Sequence, residues 1–460
     1  MTPTMNWASI DRFLMGDAWV GSRIADHLQV LCGDIGVRWA GTKGEQKAAQ
    51  YVLSQLQSLS LREAAMETFE LSTSDCNAAS IRVTGYDDWQ ADVRPCLFCP
   101  SVNVEAAMVD VGFGMPHELE GLDVPLNGRV ALIRTEFEPF SEPRHLTIRL
   151  RDLAARGATL AITASSRKGR RLQHMSASDW RDGDPGSVPL PLIQTSVEDI
   201  QCLRQHAAKG ASVSVQVSSE FRTETSWNSV ADLPGDLADE SIVLAAHHDT
   251  TPDSFGANDN GAGVAVLLET ARLLAGLAEA ENVRPGRTIR FVSFGAEEQG
   301  LQGSVAFVNQ HYGQEPHPRF MLALDELATG NMKGVVLQFP QQRTLIQQQL
   351  DSMNEGLQCH VLSQLDASGD MFPFALRGIP ASFLWRWRFV GRHEDTAYGH
   401  SSSDTLDKVR VRELKEYAGL LARLLFRLSH VPSECWPQPP DVTEIAQRIE
   451  QERGAVFRTM

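Results

Sequence analysis

Residues 242–249 have the sequence Ile-Val-Leu-Ala-Ala-His-His-Asp, an apolar run that ends in two histidines and an aspartate. The apolar part predicts a β-strand over 242–246. From about residue 228 onward, strand-like and helix-like segments alternate, which is typical of a mainly parallel, twisted sheet flanked by helices. In an open α/β sheet ligands bind beyond the carboxyl ends of the strands, so His247 and Asp249 are candidates for a functional site.

Other segments of this half of the chain end in acidic residues. Strands are predicted at 288–294, 320–324 and 381–384, and helices at 263–277 and 411–428. Carboxylates follow the strands at 288–294 and 320–324, and one lies in the glycine-rich loop 256–263: Glu297 and Glu298, Asp325 and Glu326, and Asp259. Each could be a helix cap or a solvated turn. Gathered at one sheet edge, however, they would repel each other unless a cation were present.

Histidine and carboxylate ligands without cysteine suit a catalytic zinc site better than a structural one. So many acidic ligands favour two metals about 3.5–4 Å apart with one bridging carboxylate. Because Glu297 and Glu298 are adjacent, one side chain can bind metal while the other accepts a proton from water. Asp249 lies two residues after His247 on the same side of an extended chain, where it can fix the imidazole tautomer.

Several other function classes lack support in the sequence. No GxSxG, P-loop, GxGxxG or HExxH motif is present. The net charge of −16 disfavours nucleic acid as a partner. We find no uncharged apolar run long enough to span a membrane and no signal peptide, so we expect a cytoplasmic protein without a membrane partner. Seven cysteines are too few for a disulfide scaffold, and we interpret the pair Cys96 and Cys99 as thiols that merely fall close together.

The motifs together resemble those of the M28 metallopeptidases. Ala-His-His-Asp-Thr at 246–250 resembles AHxDS, and Gly-Ala-Asn-Asp-Asn-Gly-Ala-Gly-Val at 256–264 resembles GANDNGSGV. Residues 287–304 resemble RTIRFVxFGAEExGLxGS nearly throughout. Leu-Asp at 324–325 matches the next ligand, and His-Ser-Ser-Ser-Asp-Thr at 400–405 resembles HTxxDT. These motifs occur in family order over about 160 residues, which makes the resemblance specific.

The resemblance implies a zinc-dependent exopeptidase with two zinc ions per chain. One metal would be bound by His247 and Asp325 and the other by Glu298 and His400. Asp259 would bridge the two metals. The same resemblance makes Glu297 the general base. Asp249, from its spacing to His247, is counted with Glu297 as a candidate catalytic residue.

The sequence departs from the family on the substrate side. It has Leu-Asp-Glu326 where relatives often have Asp-Met, and Gly-Asp370-Met where the family has SDH. Tyr398 lies one position earlier than the tyrosine that often precedes the last ligand. We take Glu326, Tyr398 and Asp370 as candidate substrate-binding residues. Glu326 could hold a substrate's free amino group or could equally be solvated.

The domain organisation follows from changes in pattern and from the resemblance. Residues 1–69 are predicted to be the N-terminal helical part of the peptidase core, and 223–431 the catalytic domain. The β-rich stretch 70–222 resembles a protease-associated (PA) domain, with Asn-Gly-Arg-Val-Ala-Leu-Ile at 127–133 similar to its GKIVLV strand. Residues 432–460 are predicted to be a linker followed by a short helix.

Three alternatives remain open beside the favoured aminopeptidase. The same site could serve a carboxypeptidase or dipeptidase, or could act on a small amide that is not a peptide. A non-catalytic scaffold of the same fold is also possible, although such relatives typically lose ligands and here every ligand is present. The sequence does not give the side-chain specificity or the oligomeric state.

Overall fold

The computed structural model describes residues 5–85, 89–136, 138–141, 144–167, 169–184, 186, 188–313, 317–386 and 398–453. Within these residues the chain divides into two compact units. Unit 1 contains 5–71, 225–386 and 398–451, and unit 2 contains 72–224, 452 and 453. The expected ends of the insertion, 70 and 222, lie two residues from these divisions; its identity as a PA-like domain stays a prediction.

The α-helices are α1 (Trp7–Val20), α2 (Ile24–Leu28), α3 (Lys43–Ser58), α4 (Pro116–Glu120), α5 (Leu146–Ala155), α6 (Val197–Ala207), α7 (Ala262–Ala280), α8 (Gln302–His311), α9 (Arg343–Met353), α10 (Met371–Leu376), α11 (Val411–Ser429) and α12 (Val442–Glu452). The strands are β1 (Arg62–Thr84), β2 (Gln90–Ala91), β3 (Arg94–Pro95), β4 (Val102–Asp110), β5 (Val130–Leu132), β6 (Leu160–Ala164), β7 (Leu192–Thr195), β8 (Ser212–Leu233), β9 (Leu237–His247), β10 (Arg287–Phe294), β11 (Phe320–Leu324), β12 (Met332–Leu337), β13 (Gln358–Val361) and β14 (Ala381–Arg386). The boundaries of the units fall within β1 and β8.

The sheet of unit 1 has the order β13-β12-β14-β11-β9-β10-β8. The central pairs β10–β9, β9–β11 and β11–β14 are parallel, and so is β12–β13. The pairs β10–β8 and β12–β14 are antiparallel. The expected mainly parallel α/β sheet is therefore confirmed, with an antiparallel strand on either side of the parallel centre.

Helix α7 is the central core helix of unit 1. It packs against β9 and β11 on one side and against α1 and α11 on another. The helical stretch Ala257–Ala280 is, within the described residues, long and apolar enough to span a membrane, but most of it is buried in the unit. Burial of this kind is typical of a core helix. The predicted helix 263–277 is confirmed, and in the structure α7 is one residue longer at its start and three residues longer at its end.

Unit 2 contains a mixed β-sheet together with the helices α4, α5 and α6. Strands β4, β5, β6 and β7 are parallel neighbours, while β3 pairs antiparallel with β7. The first part of β8 pairs antiparallel with β4. Helix α6 packs against β4 and β6, so helices cover part of this sheet. Cys96 and Cys99 are buried here as free thiols.

Candidate metal centre

The order of the central strands brings three ligand-bearing ends together. Strand β9 lies between β10 and β11, and His247 is its last residue. In the parallel register His247 lies opposite Phe294, three residues before Glu297. On the other side Leu324, which precedes Asp325, pairs with Ala246. The apolar strands thus deliver their polar following residues to one edge of the sheet.

Asp259 lies between the two candidate histidine ligands. Its Oδ1 is 3.3 Å from Nε2 of His247, and its Oδ2 is 3.2 Å from Nε2 of His400. His247 Nε2 is also 3.4 Å from Oδ1 of Asp325, and His400 Nε2 is 3.1 Å from Oε2 of Glu298. Two groups with donor atoms within 4.8 Å of one another result, and they share Asp259: His247, Asp259, Asp325 and Asp259, Glu298, His400.

Asp404 holds the backbone of the loop that carries Asp259. The Asp404 carboxylate accepts hydrogen bonds from the backbone N–H of Asn258 at 2.8 Å and of Asp259 at 2.9 Å. Asn260 donates from its side chain to the carbonyl of Leu324 at 2.7 Å. Burial raises the pKa of Asp404 to about 6, against the opposing effect of these two N–H donors. No role was predicted for Asp404, although it lies in the motif that contains His400.

Asp249 supports both sides of the site. Its Oδ1 accepts from the backbone N–H of Glu297 at 3.1 Å, and its Oδ2 accepts from that of Glu298 at 3.2 Å. Nδ1 of His247 lies 3.3 Å from Oδ1 of Asp249. A carboxylate next to this ring nitrogen favours the tautomer with the proton on Nδ1, which leaves Nε2 free to bind a metal.

Burial of the acidic side chains is unfavourable in free energy when they are ionised, and a bound cation would offset this. Burial raises the pKa of Glu297 well above its ordinary value despite the nearby imidazole of His247, and Glu298 raises it further. Burial also raises the pKa of Glu298 to about 7. Burial alone would lower the pKa of His247, but the surrounding carboxylates, with Glu297 first among them, raise it well above its usual value. This charge pattern is the one expected of carboxylates that share a metal.

Buried polar atoms provide an independent test of the fit to a metal. Oε1 of Glu298 and Oδ1 of Asp325 have no hydrogen-bond partner, and neither does Nε2 of His247, although carboxylate oxygens lie close to it. Buried polar atoms are normally hydrogen-bonded, so unsatisfied ones need an explanation. Nitrogen and oxygen donors of this kind, with no thiolate, fit a catalytic zinc ion.

The three substrate-side candidates differ in position. Glu326 is buried, and its Oε1 accepts from Nδ2 of Asn258 at 3.3 Å. A Cβ atom at Gly399 would lie 3.2 Å from both Oε1 of Glu326 and Oδ2 of Asp259, which places Glu326 beside the site. Asp370 is buried at the start of α10, and burial raises its pKa to about 7. The ring of Tyr398 lies under the ammonium group of Lys408, 5.0 Å from it.

Comparison with known proteins gives a family match and several relatives. Residues 228–425 match the sequence model of peptidase family M28. Aminopeptidase YwaD of Bacillus subtilis is 25% identical over 401 residues, which cover 85% of this chain and 81% of that protein. Human carboxypeptidase Q is 24% identical over 312 residues, which cover 63% of this chain and 61% of that protein. Leucine aminopeptidase 2 of Trichophyton rubrum is 32% identical over 144 residues, covering 31% and 28%.

Solved structures share the fold over nearly the whole chain. A peptidase M28 precursor from Shewanella amazonensis superposes with a TM-score of 0.74 at 21% identity, covering 95% of this chain and 99% of that one. The zinc aminopeptidase BSAP of Bacillus subtilis gives a TM-score of 0.69 at 20% identity, covering 95% and 97%. Both alignments include residues of unit 1 and of unit 2.

Proposed function

This chain carries a peptidase family M28 domain over residues 228–425, and on that premise we propose that it is a zinc-dependent aminopeptidase. It would remove the N-terminal residue from peptides or related small amides. The observation that carries the proposal is the position of Asp259, with one carboxylate oxygen facing His247 and the other facing His400. A carboxylate in this position can hold two cations close together, as a two-metal hydrolase requires.

The proposed site holds two zinc ions. His247 and Asp325 would bind the first, Glu298 and His400 the second, and Asp259 both. When bound, zinc supplies Lewis acidity, which polarises the scissile carbonyl and makes the attacking water more acidic. The unsatisfied oxygens of Glu298 and Asp325 support this ligand set.

Glu297 is the proposed general base. Its side chain is almost fully buried, and its Oε2 is 4.0 Å from Nε2 of His247, so it reaches the metal ligands without belonging to either ligand group. Glu297 would accept the proton of the attacking water and return it to the nitrogen of the leaving group. Asp249 fixes the backbone of Glu297 and the ring of His247, so that the base and the first ligand keep their relative positions.

The acidic surroundings favour a substrate with a free amino terminus. Glu326 adds a carboxylate close to Asp259. Glu326 lies outside the proposed ligand set, so its carboxylate would attract a substrate ammonium group and repel a substrate carboxylate. Aminopeptidase YwaD and the fungal leucine aminopeptidase support the same direction of attack by their names.

A substrate panel tests the proposal. Zinc-loaded protein should hydrolyse amino-acid anilides and unblocked dipeptides, and N-acetylation of either should reduce kcat/KM by at least tenfold. Cleavage of N-blocked peptides that depends on a free C-terminal carboxylate would overturn the direction and favour a carboxypeptidase. The match to carboxypeptidase Q makes that outcome the second candidate. Zinc uptake without turnover of any substrate in the panel would leave a non-catalytic scaffold.

A further inference from the structure

Arg38 is a fully buried arginine close to the metal centre. It lies between the π-helix Gln29–Ile35 and α3, and its side chain has no exposed surface. Its guanidinium donates hydrogen bonds to five backbone carbonyls: those of His248 (2.7 Å), Phe255 (2.8 Å), Gly36 (2.9 Å), Leu31 (3.0 Å) and Gly256 (3.0 Å). A charged group that is fully buried needs such partners, because burial without them is very costly.

Three of the five carbonyls belong to residues 248–256, which connect the ligand His247 to the loop that carries the ligand Asp259. Thr250, in the same segment, forms two more contacts with Arg38. Its Oγ1 accepts from the backbone N–H of Arg38 at 2.9 Å, and its own N–H donates to the carbonyl of Arg38 at 3.2 Å. Arg38 therefore holds the segment 248–256, which joins the two ligands, by hydrogen bonds to four of its residues.

The approach of Gly256 to Arg38 is close enough to exclude a side chain. Gly256 has a φ of 58°, and a Cβ atom there would lie 2.6 Å from Nη2 of Arg38. Glycine adopts this conformation at little cost and leaves room for the guanidinium. The glycine at the start of the metal-binding loop and the arginine beneath it thus fit each other.

We propose that Arg38 is a positioning residue for the zinc site. By donating to the carbonyls of residues 248, 255 and 256, it sets the distance between His247 and Asp259. It also keeps Asp249 in contact with His247 at the end of β9 and with Glu297 after β10. Loss of the guanidinium would remove the donor from the buried carbonyls of His248 and Phe255, while the carbonyl of Gly256 would keep its hydrogen bond from the backbone N–H of Gly261. The segment would move to find a new donor for the two carbonyls. Zinc affinity should then fall. The inference rests on the proposed zinc site.

Arg287 provides a matched control. It is also fully buried and also donates to backbone carbonyls, those of Ser429 (3.0 Å) and Val431. It begins β10, whose opposite end leads to Glu297, so it lies roughly 25 Å along the strand from the site. Its replacement removes an equally buried arginine without touching the ligand loops.

The experiment compares Arg38→Met and Arg38→Lys with Arg287→Met and Arg287→Lys in the full chain. Zinc affinity is measured by competition with a chromogenic chelator and corrected for the folded fraction from circular dichroism. All four variants should lose thermal stability. Zinc affinity should fall about 10–100-fold in Arg38→Met and less in Arg38→Lys, the range typical of residues that orient metal ligands. Both Arg287 variants should stay within threefold of wild type.

Two results would overturn the inference. One is a folded Arg38→Met with zinc affinity within threefold of wild type. The other is an equal loss of affinity in Arg287→Met, which would make the effect one of general stability. If Arg38→Met does not fold, Arg38→Lys decides by the same criterion, together with hydrogen exchange, which should be faster at residues 248–256 than around Ser429. Wild-type protein that takes up no zinc would instead contradict the proposed function.

Discussion

Replacing Asp249 with asparagine separates the roles of charge and shape at the metal centre. The carboxylate of Asp249 faces three donors: the backbone N–H groups of Glu297 and Glu298 and Nδ1 of His247. An asparagine of nearly the same size accepts through its single oxygen and turns an NH₂ group toward the remaining donors. At least one buried N–H therefore loses its acceptor.

The size of the effect follows from these contacts. An unpaired buried N–H costs about 1–3 kcal/mol, and replacing a charged acceptor by a neutral one weakens a remaining bond by about 1 kcal/mol. Asp249→Asn should therefore lower the free energy of unfolding of the zinc-loaded protein by about 2–4 kcal/mol. Because His247 also loses the carboxylate that fixes its ring, zinc affinity should fall about 10–100-fold.

The assay combines urea unfolding with competition for zinc by a chelator. Asp232→Asn is the control, because Asp232 is also buried and accepts from Nε and Nη2 of Arg290 at 2.9 and 3.0 Å on the same sheet. The control should lose stability and keep its zinc affinity. The reasoning is refuted if Asp249→Asn binds zinc within threefold of wild type, or if both variants lose affinity equally.

Three further predictions concern the base, the acid stability and the thiols. Glu297→Gln should lower kcat about 10²–10⁴-fold while zinc content by elemental analysis stays that of wild type, and full activity would exclude Glu297 as the base. The hydrogen bond from Arg319 is the main reason that the pKa of Glu240 falls from 4.5 to about 2. The ionised Glu240 carboxylate therefore stabilises the fold fully above pH 4.5, and this contribution is lost as pH falls toward 2. Between pH 4.5 and 2 the urea midpoint of Glu240→Gln should fall less than that of wild type. An equal fall of the two midpoints would contradict this. Cys76 and Cys435 are exposed and Cys202 is partly exposed, so two thiols should react rapidly with a thiol reagent in the native protein, and all seven after unfolding. Fast reaction of more than three would contradict the burial of the other four cysteines.

The central strands could be predicted because they are short apolar runs, and the long helices because their apolar residues recur at helical spacing. The strand 320–324 has the predicted bounds, and the predicted helix 411–428 is one residue longer in the structure. Strand β12 was not predicted, because its six residues contain a lysine and a glycine and give no clear period. The length of β8 was also not predicted, since its polar middle part has no apolar face to reveal it.

The site was predictable to the extent that its residues follow strands. His247 and Asp325 follow neighbouring parallel strands, so their proximity is a consequence of topology. Asp404 and Arg38 could not be assigned a role in this way. Both act through hydrogen bonds to backbone groups that are remote in sequence, with Asp404 bonded to Asp259 145 residues away. Such contacts leave no periodic signal, because the partner is a backbone atom and its residue type is free to vary.

The metal count tests the central claim most directly. Apo protein reconstituted with zinc, separated from free metal and analysed by elemental analysis should contain two zinc ions per chain. Anomalous diffraction at the zinc edge should then show two peaks, one on each side of the Asp259 carboxylate. Protein that is folded and takes up no zinc, or a metal located away from Asp259, would contradict the account.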